Sequence, residues 1–316
     1  MSRYSVLLVV LAAIWGASYL FIKIGIDGGL EPSVMMAARG LLAAAGLFAV
    51  LVVTIGTSRA FRELRASWRQ WTAIGVAANA VPFWLVAWGE KHIDTGVAAI
   101  AQATVPIFTV LLGLRFLPHE PMGGRRWAGI VIGLVGVGVL AGVNPEGGVW
   151  FVVGTLAVVL SSLAYASGNI IGQRSIAAVS GPVLACGAMF AAGVSLTPFA
   201  LLQFPHEAPT TGAIASLLTL VVLGTVFAQL VLYRMLRLYG GRRMSLVTYL
   251  MPAFALSYGA LFLDEPLRAS SLVGLALILA GVALGSGAVA ARAGDGLRRG
   301  LRKKRHLGAG ASRGDA

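Results

Sequence analysis

The 316-residue chain has little of what most enzymes and secreted proteins use. Its one cysteine, Cys186, permits neither an internal disulfide nor a cysteine-based metal site. Its four histidines fall between the apolar runs or near the C-terminus, and no metalloprotease-type pair of histidines occurs. An enzyme needs a nucleophile with a base, or a set of metal ligands. We therefore expect no catalytic residues, no metal and no cofactor.

Charged residues are also scarce, at 12% of the chain against 58% hydrophobic residues. An average globular domain carries about 25% charged residues, so a soluble protein is excluded. A membrane-spanning helix needs about 20 mostly apolar residues, and the sequence predicts an all-α integral membrane protein with ten transmembrane helices. The predicted runs are 5–26, 33–55, 71–89, 95–117, 127–143, 150–172, 183–203, 213–236, 244–263 and 271–291.

The 25 basic residues are unevenly distributed between these runs. If the N-terminus is cytoplasmic, most of them fall on the cytoplasmic side, and only Lys91 and Arg268 lie in loops on the other side. The pattern predicts a multi-pass protein of a bacterial-type inner membrane with both termini in the cytoplasm. The net charge of +13 does not indicate nucleic acid, because we expect segment 292–316 to be a disordered tail near anionic lipid.

The two halves of the chain repeat one pattern. Pro106 in an apolar run is followed by Glu120-Pro121 and a glycine-spaced helix, and the same order recurs from Pro252 through Glu265-Pro266. Each half holds five predicted helices, an odd number, so the two copies enter the membrane from opposite sides. The sequence predicts two inverted five-helix repeats, 1–145 and 146–291, which is an arrangement suited to alternating access.

A stripe of aromatic and polar side chains marks the first helix of each half. The stripe consists of Trp15, Ser18, Tyr19 and Lys23 in the first half and of Tyr165 and Asn169 in the second. Lipid offers such side chains no partners, so they must face protein or water. We interpret the stripes as the lining of a substrate cavity, and helix–helix hydrogen bonding is the alternative.

Prolines interrupt the third, fourth and ninth predicted helices. A proline frees the carbonyl four residues earlier and bends the helix, which can open space at mid-membrane. The side chains that we expect near this space are Asn79, Phe83, Trp84, Gln102, Pro106, Gln229, Tyr249 and Pro252. The alternatives are kinks that serve only packing and, for Phe83 and Trp84, a set of rings that faces lipid.

Two cations, Lys23 and Arg39, lie within predicted helices. They could attract a substrate carboxylate. Alternatively, they could extend to the membrane surface or pair with Asp27 and Glu31, which the sequence favours slightly.

The twelve acidic residues all fall in loops, in the tail or at helix ends. Carriers coupled to protons or sodium often hold a carboxylate at mid-membrane. The sequence therefore predicts facilitative or exchange transport.

Glycines spaced by four residues occur in runs 127–143 and 271–291, for example Gly129 with Gly133 and Gly281 with Gly285. Small residues at this spacing let helices approach closely. We expect packing within the repeats or a dimer seam, and hence a monomer or a weak dimer.

These features together resemble the EamA-type branch of the drug/metabolite transporter superfamily, over about residues 5–290. The matching pieces are Trp15-Gly16-Ala17-Ser18 with Lys23, Glu31-Pro32 with Arg39, Gly96 through Pro106, and Glu120 or Glu265 before a glycine-rich helix. The resemblance, which extends to YddG-type aromatic amino-acid exporters, implies a central cavity lined by helices one, three, four, six, eight and nine. The chain departs from the family at the prolines that follow Glu120 and Glu265, which weakens any role for these glutamates beyond ending a helix.

Three classes of function remain. The first is a secondary transporter that exports aromatic or large neutral amino acids, because rings and amide groups bind such compounds without strong charge selection. The second is a nucleotide-sugar or phosphorylated-metabolite antiporter of the same fold, which would need several cations in its cavity. The third is a membrane scaffold without transport activity, or an embedded enzyme.

Overall fold

The computed structural model describes residues 3–116, 123–142, 148–175, 179–239 and 247–285, and in these ranges every regular element is a helix. The first helices are α1 (Arg3–Asp27), α2 (Pro32–Ile55), α3 (Thr57–Ala66), α4 (Trp68–Gly89), α5 (Thr95–Gln102), α6 (Val105–Phe116) and α7 (Gly124–Gly142). They are followed by α8 (Gly148–Ser175), α9 (Gly181–Leu202), α10 (Thr211–Tyr239), α11 (Val247–Phe262) and α12 (Ala269–Gly285). The predicted tail and Glu120 lie outside the described residues.

Seven helical segments are long and apolar enough to cross a membrane: α1, α2, α4, Thr95–Gly113, Gly148–Gly172, α9 and α10. Three shorter apolar helices lie within α7, α11 and α12. Each apolar run predicted from the sequence overlaps one of these helices, so the all-α membrane fold is confirmed. The amphipathic helix α3, with an ion pair between Arg59 and Glu63 at 2.7 Å, was not predicted, because it lies between the apolar runs.

Two of the long helices contain a π-helical segment, Gly75–Ala80 in α4 and Val222–Phe227 in α10. In α4 this segment ends just before Pro82, whose ring prevents regular hydrogen bonding to the preceding turn. In α10 no proline is involved, and the Thr225 hydroxyl donates to the carbonyl of Leu220, five residues earlier, at 3.0 Å. Segments of this kind are frequent at functional sites.

Pro106 stands in the first turn of α6 and separates it from α5. The chain leaves the helix at Ala103 and Thr104 and resumes at Val105, and a proline is well tolerated in a first helical turn. The carbonyl of Gln102, which Pro106 cannot bond, lies 3.4 Å from the hydroxyl of Ser162 in α8. The predicted run 95–117 is therefore two helices rather than one bent helix.

The helices pair in a regular way. α2 packs along α9, and α7 packs along α12. α1 packs against α10 and α11, whereas α8 packs against α4 and against both α5 and α6. The glycine-spaced helices α7 and α12 thus contact each other across the two segments 1–145 and 146–291. Gly133 also lies against Ile107 of its own segment, as expected, whereas the packing of Gly281 on Gly129 and Gly133 across the two segments was not predicted.

The seam between α7 and α12 gives a stability prediction. A Cβ on Gly281 would lie 2.5 Å from the backbone nitrogen of Gly133 and closer still to the carbonyl oxygen of Gly129. Because these atoms are backbone, we expect Gly281→Ala to force the helices apart and to cost about 1–3 kcal/mol. Thermal unfolding in detergent should show a lower midpoint.

The matched control is Gly138→Ala on α7, where a Cβ meets no atom within 4 Å. This variant should unfold like the wild type. Equal midpoints for the two variants would contradict close packing at Gly281.

Candidate functional site

Five side chains from five helices converge inside the bundle: Tyr19 of α1, Arg39 of α2, Phe83 of α4, Tyr165 of α8 and Thr225 of α10. We call them the Arg39 cluster. The ring centroid of Phe83 lies 4.0 Å from Cζ of Arg39 and 6.5 Å from the ring centroid of Tyr165. Tyr19 is buried and lies within electrostatic range of Arg39 and Tyr165. A cation and three aromatic rings therefore share one interior position.

Arg39 is 6% exposed and is held from two sides. Its Nε donates to the hydroxyl of Thr225 at 3.0 Å, and the face of Phe83 covers the guanidinium. Cation–π contacts contribute about 0.5–2 kcal/mol, with the larger values at desolvated sites. Because Thr225 belongs to the π-helical segment of α10, the irregular backbone places the hydroxyl that orients the guanidinium.

No carboxylate of the described chain forms an ion pair with Arg39. The sequence-based alternative, that Arg39 extends to the surface or pairs with Asp27 or Glu31, is therefore wrong. Glu31 instead pairs with Lys91 at 2.9 Å. A buried charge without a counter-ion is costly, so the cluster can accept an anionic group from a ligand.

Lys23 pairs with Asp27, as the alternative to a substrate-binding role predicted. Its Nζ lies 3.4 Å from the carboxylate of Asp27 and donates to the backbone carbonyl of Glu90 at 2.9 Å. It is thus engaged at the end of the bundle and does not join Arg39 as a second cation.

Four loops meet at this end of the bundle, 28–31, 90–94, 203–210 and 263–268, and we call their surface the acidic face. The backbone nitrogen of Thr210 donates to the carbonyl of Gly28 at 2.9 Å, and Ser33 donates to Gln203 at 2.7 Å. Arg268 forms an ion pair with Asp94. These contacts join the loops into a continuous layer.

Glu265 connects this layer of loops to the N-terminus of α5 through hydrogen bonds. Its carboxylate accepts hydrogen bonds from the backbone nitrogen and the hydroxyl of Thr95, at 2.8 and 2.5 Å, and from the nitrogen of Gly96 at 3.3 Å. A carboxylate at a helix N-terminus satisfies free N–H groups and complements the helix dipole. Glu265 therefore links the two halves of the chain, and the sequence-based interpretation that it only ends a helix is wrong.

Glu90 is the one fully buried acid among the described residues, with 0% of its surface exposed. It follows Gly89, the last residue of the span Trp68–Gly89. Neither of its carboxyl oxygens has a hydrogen-bond partner in the described part of the chain. Burial raises the pKa of this carboxyl well above its ordinary value, and the negative charges of Glu265 and Asp27 act in the same direction against Lys23.

The other predicted site residues are spread along the same helices. Gln102 lies in a buried polar group, donating to Ser162 at 3.2 Å and accepting from Ser161 at 2.7 Å. Ser18 donates to its own helix at Ile14. Of the rest, Asn79 and Pro252 are buried, Trp15, Trp84, Pro106, Gln229 and Tyr249 are partly buried, and Asn169 is exposed. In the described ranges, none of them forms a side-chain hydrogen bond or ring contact with the Arg39 cluster. A buried carbonyl oxygen of Gln229 has no partner among the described residues.

Sequence reasoning missed Thr225 and Glu90. Thr225 is a single hydroxyl in an apolar run, and no local sequence pattern predicts the π-helical segment that contains it. Glu90 was grouped with the other acids in loops or at helix ends. Its burial arises because α4 crosses α8 closely, where a Cβ on Gly89 would lie 3.0 Å from the carbonyl oxygen of Gly154. The pair Gly89-Glu90 was the only signal available.

No group of three or more His, Cys, Asp or Glu residues in the described ranges is arranged to hold a metal ion. In the described ranges the buried polar groups are one guanidinium, hydroxyls of serine, threonine and tyrosine, amides and one acid. Such a set can bind a small organic ion.

The sequence matches the EamA-like transporter family over residues 3–142 and 152–287. It is 24% identical to a probable amino-acid metabolite efflux pump of Escherichia coli, over 88% of this chain and 92% of that protein. It is 29% identical to a probable terminal-alkyne amino-acid exporter of Streptantibioticus cattleyicolor, over 88% and 91%. An inner membrane transporter of Escherichia coli, YedA, is 32% identical over 58% of this chain and 57% of its own.

A solved crystal structure of another protein also resembles this fold. It superposes with a TM-score of 0.64 at 20% identity and covers 90% of this chain and 97% of its own. At that identity the likeness concerns the fold alone.

Proposed function

Because the chain belongs to the EamA-like transporter family, a family of membrane transporters, we propose that it exports aromatic or large neutral amino acids by alternating access. The observation that carries this proposal is Arg39, a buried cation with no carboxylate partner in the described chain. A substrate carboxylate can supply the missing partner through a bidentate contact with the guanidinium. The relatives whose names mention amino-acid export add support.

The aromatic side chains next to Arg39 favour a substrate with an apolar or aromatic group. Phe83 and Tyr165 provide ring surfaces, and Tyr19 provides a ring and a hydroxyl. Aromatic pairs contribute about 0.5–1.5 kcal/mol beyond the burial of their area. An α-amino acid with a large neutral side chain matches a cation flanked by rings.

The nucleotide-sugar alternative is weaker. A diphosphate would require several cations at one depth, whereas Lys23 is engaged by Asp27 and by the Glu90 carbonyl. Arg39 alone remains in the interior of the described chain.

We place the site between two inverted five-helix repeats, 1–145 and 146–291. Three features support this arrangement. The π-helical segments Gly75–Ala80 and Val222–Phe227 fall in the third helix of each repeat. Pro32 and Pro182 each stand in the first turn of the second helix. The pairing is also reciprocal, since α1 contacts α10 and α11 as α8 contacts α4 and α5–α6. The Arg39 cluster adds α2 to the cavity helices that family resemblance implied.

The proposed orientation follows the basic residues. Arg59, Arg62, Arg65 and Arg69 lie on or beside α3 at the end of the bundle opposite the acidic face, and basic loops favour the cytoplasm. The acidic face would then be outside and both termini would be cytoplasmic. The glycines of α7 and α12 pack against each other within one chain, which supports a monomer over a dimer seam at these glycines.

Substrate exchange between vesicles and medium tests the function directly. Liposomes with purified protein, loaded with unlabelled phenylalanine, should take up labelled phenylalanine by counterflow without any imposed gradient. Protein-free liposomes are the control. Counterflow of a nucleotide sugar in the absence of any amino-acid counterflow would favour the antiporter alternative and would overturn the proposal.

A further inference from the structure

Glu90 differs from every other acid in the described chain. The other seven, Asp27, Glu31, Glu63, Asp94, Glu207, Asp264 and Glu265, are partly or fully exposed. Four of these form an ion pair with a cation, and Glu265 accepts hydrogen bonds from N–H and O–H donors. The carboxyl oxygens of Glu90 are shielded from solvent and have no hydrogen-bond partner among the residues that the structure describes.

The packing around Glu90 is tight. α8 crosses the end of α4 at Gly154, where a Cβ would lie 3.0 Å from the Gly89 carbonyl oxygen and 3.0 Å from Cβ of His92. The layer of loops fastened by Glu265 lies at the same end of the bundle. A ligand with any bulk has no route to the Glu90 carboxyl in this conformation, whereas a proton needs no space.

The charges around Glu90 come from several elements. Lys23 and Asp27 belong to α1, and Glu265 belongs to the 263–268 loop. Among the described residues, Lys23 is the cation that acts on the Glu90 carboxyl. Its ammonium contacts the backbone carbonyl of Glu90 and the carboxylate of Asp27 instead of the Glu90 side chain. On the 90–94 loop, Lys91 pairs with Glu31, and His92 stacks on Trp150.

An ionised carboxylate without hydrogen bonds is unfavourable in such a place, and a carboxylic acid is much less so. The carboxyl would therefore ionise only when water reaches it, which requires the closed packing around it to open from one side of the membrane or the other. Protonation and closure of this packing are then linked, because the closed state accepts Glu90 in its neutral form.

We propose that Glu90 is a proton-binding site that couples amino-acid export to proton entry, in addition to the proposed exchange on which it rests. The acidic face, outside in the proposed orientation, closes over protonated Glu90, and the proton leaves to water on the opposite side when the carrier next accepts substrate. Tyr19, which lies within electrostatic range of both Glu90 and Arg39, connects this site with the substrate position. The sequence-based expectation of uncoupled transport rested on the lack of an acid at mid-membrane, whereas Glu90 is a buried acid at the end of the span Trp68–Gly89.

The test separates coupling from transport. Proteoliposomes are clamped at zero potential with potassium and valinomycin, and labelled phenylalanine is added outside vesicles whose interior is one pH unit more acidic. Exchange of one proton for one substrate supports up to about tenfold accumulation. Wild-type protein should accumulate phenylalanine, and it should not do so without the pH gradient.

The variant Glu90→Gln, a neutral mimic of the protonated acid, should keep counterflow and lose accumulation driven by the gradient. Glu31→Gln is the matched control, because Glu31 is an acid of the same face that pairs at the surface with Lys91, and it should accumulate like the wild type. If Glu90→Gln does not insert, Glu90→Asp replaces it and should keep accumulation with a shifted pH profile.

Two results would overturn the proton site while leaving amino-acid export intact: counterflow by the wild type without any response to the pH gradient, or accumulation by Glu90→Gln. If the wild type shows no counterflow of phenylalanine, the proposed function fails, and infrared difference spectra decide about the proton. A protonated-carboxyl band at neutral pH that Glu90→Gln removes would support the site, and an unchanged spectrum would refute it.

Discussion

Replacing Arg39 with glutamine should abolish most amino-acid transport. The substitution removes the buried cation and keeps a polar side chain of similar reach. Removing one partner of a buried, hydrogen-bonded charge pair costs about 2–5 kcal/mol. We therefore expect the half-saturating concentration of phenylalanine in counterflow to rise by roughly 30- to 4,000-fold. Arg39→Lys keeps the charge but loses the planar guanidinium. Its half-saturating concentration should lie between those of the wild type and Arg39→Gln.

A purely structural role for Arg39 would give a different result. Competition by phenylalanine and by its decarboxylated amine distinguishes the two cases, because only phenylalanine carries the group that Arg39 would bind. The wild type should prefer phenylalanine, and Arg39→Gln should lose that preference. Thr225→Val, which removes the hydroxyl bonded to Nε at 3.0 Å but leaves the charge, should retain it. An unchanged preference in Arg39→Gln would refute the carboxylate site.

Replacing Glu265 with alanine should open the acidic face. The carboxylate holds the backbone nitrogen and hydroxyl of Thr95 and the nitrogen of Gly96, and Gly259 leaves the space for it. Losing hydrogen bonds to a charged acceptor costs about 1–3 kcal/mol. If that energy stabilises the closed face, the open population should rise about 5- to 150-fold.

Cysteine labelling measures this opening. Val97, beside Gly96 on α5, is 2% exposed, so Val97→Cys in a Cys186→Ala background should react slowly with a membrane-impermeant maleimide. Adding Glu265→Ala should accelerate labelling from the acidic face. Asp264→Asn is the matched control, because Asp264 is exposed on the same loop and asparagine tolerates its positive φ of 54°. Equal acceleration by both variants would attribute the effect to loop charge rather than to the hydrogen bonds of Glu265.

The candidate site was only partly predictable from the sequence. Tyr19 and Tyr165 were found because aromatic and polar side chains along one helix face have no partners in lipid. Phe83 was found because it follows Pro82, which was expected to open space. Arg39 was noticed for the same reason as the two tyrosines, but its partner could not be chosen: Asp27 and Glu31 are near it in sequence, whereas Thr225 is 186 residues away. Asn169 shows the reverse error, since four-residue spacing places it below Tyr165 on one helix and yet it is exposed.

The apolar runs determined the all-helical membrane fold by themselves, because a bilayer leaves a backbone with few ways to satisfy its own hydrogen bonds. Pro106 likewise marks where α5 ends and α6 begins, since proline lacks an N–H. Pro252, by contrast, lies inside α11, which is one continuous helix, so the predicted interruption of the ninth helix is wrong. Helix crossings decided the rest. Glu90, at the end of α4, is buried where Gly89 closely contacts Gly154 of α8. Glu265 links the 263–268 loop to α5 because the N-terminus of α5 lies beside it. Burial and charge balance depend on which helices meet, and that information lies in contacts between distant segments and not in any local pattern.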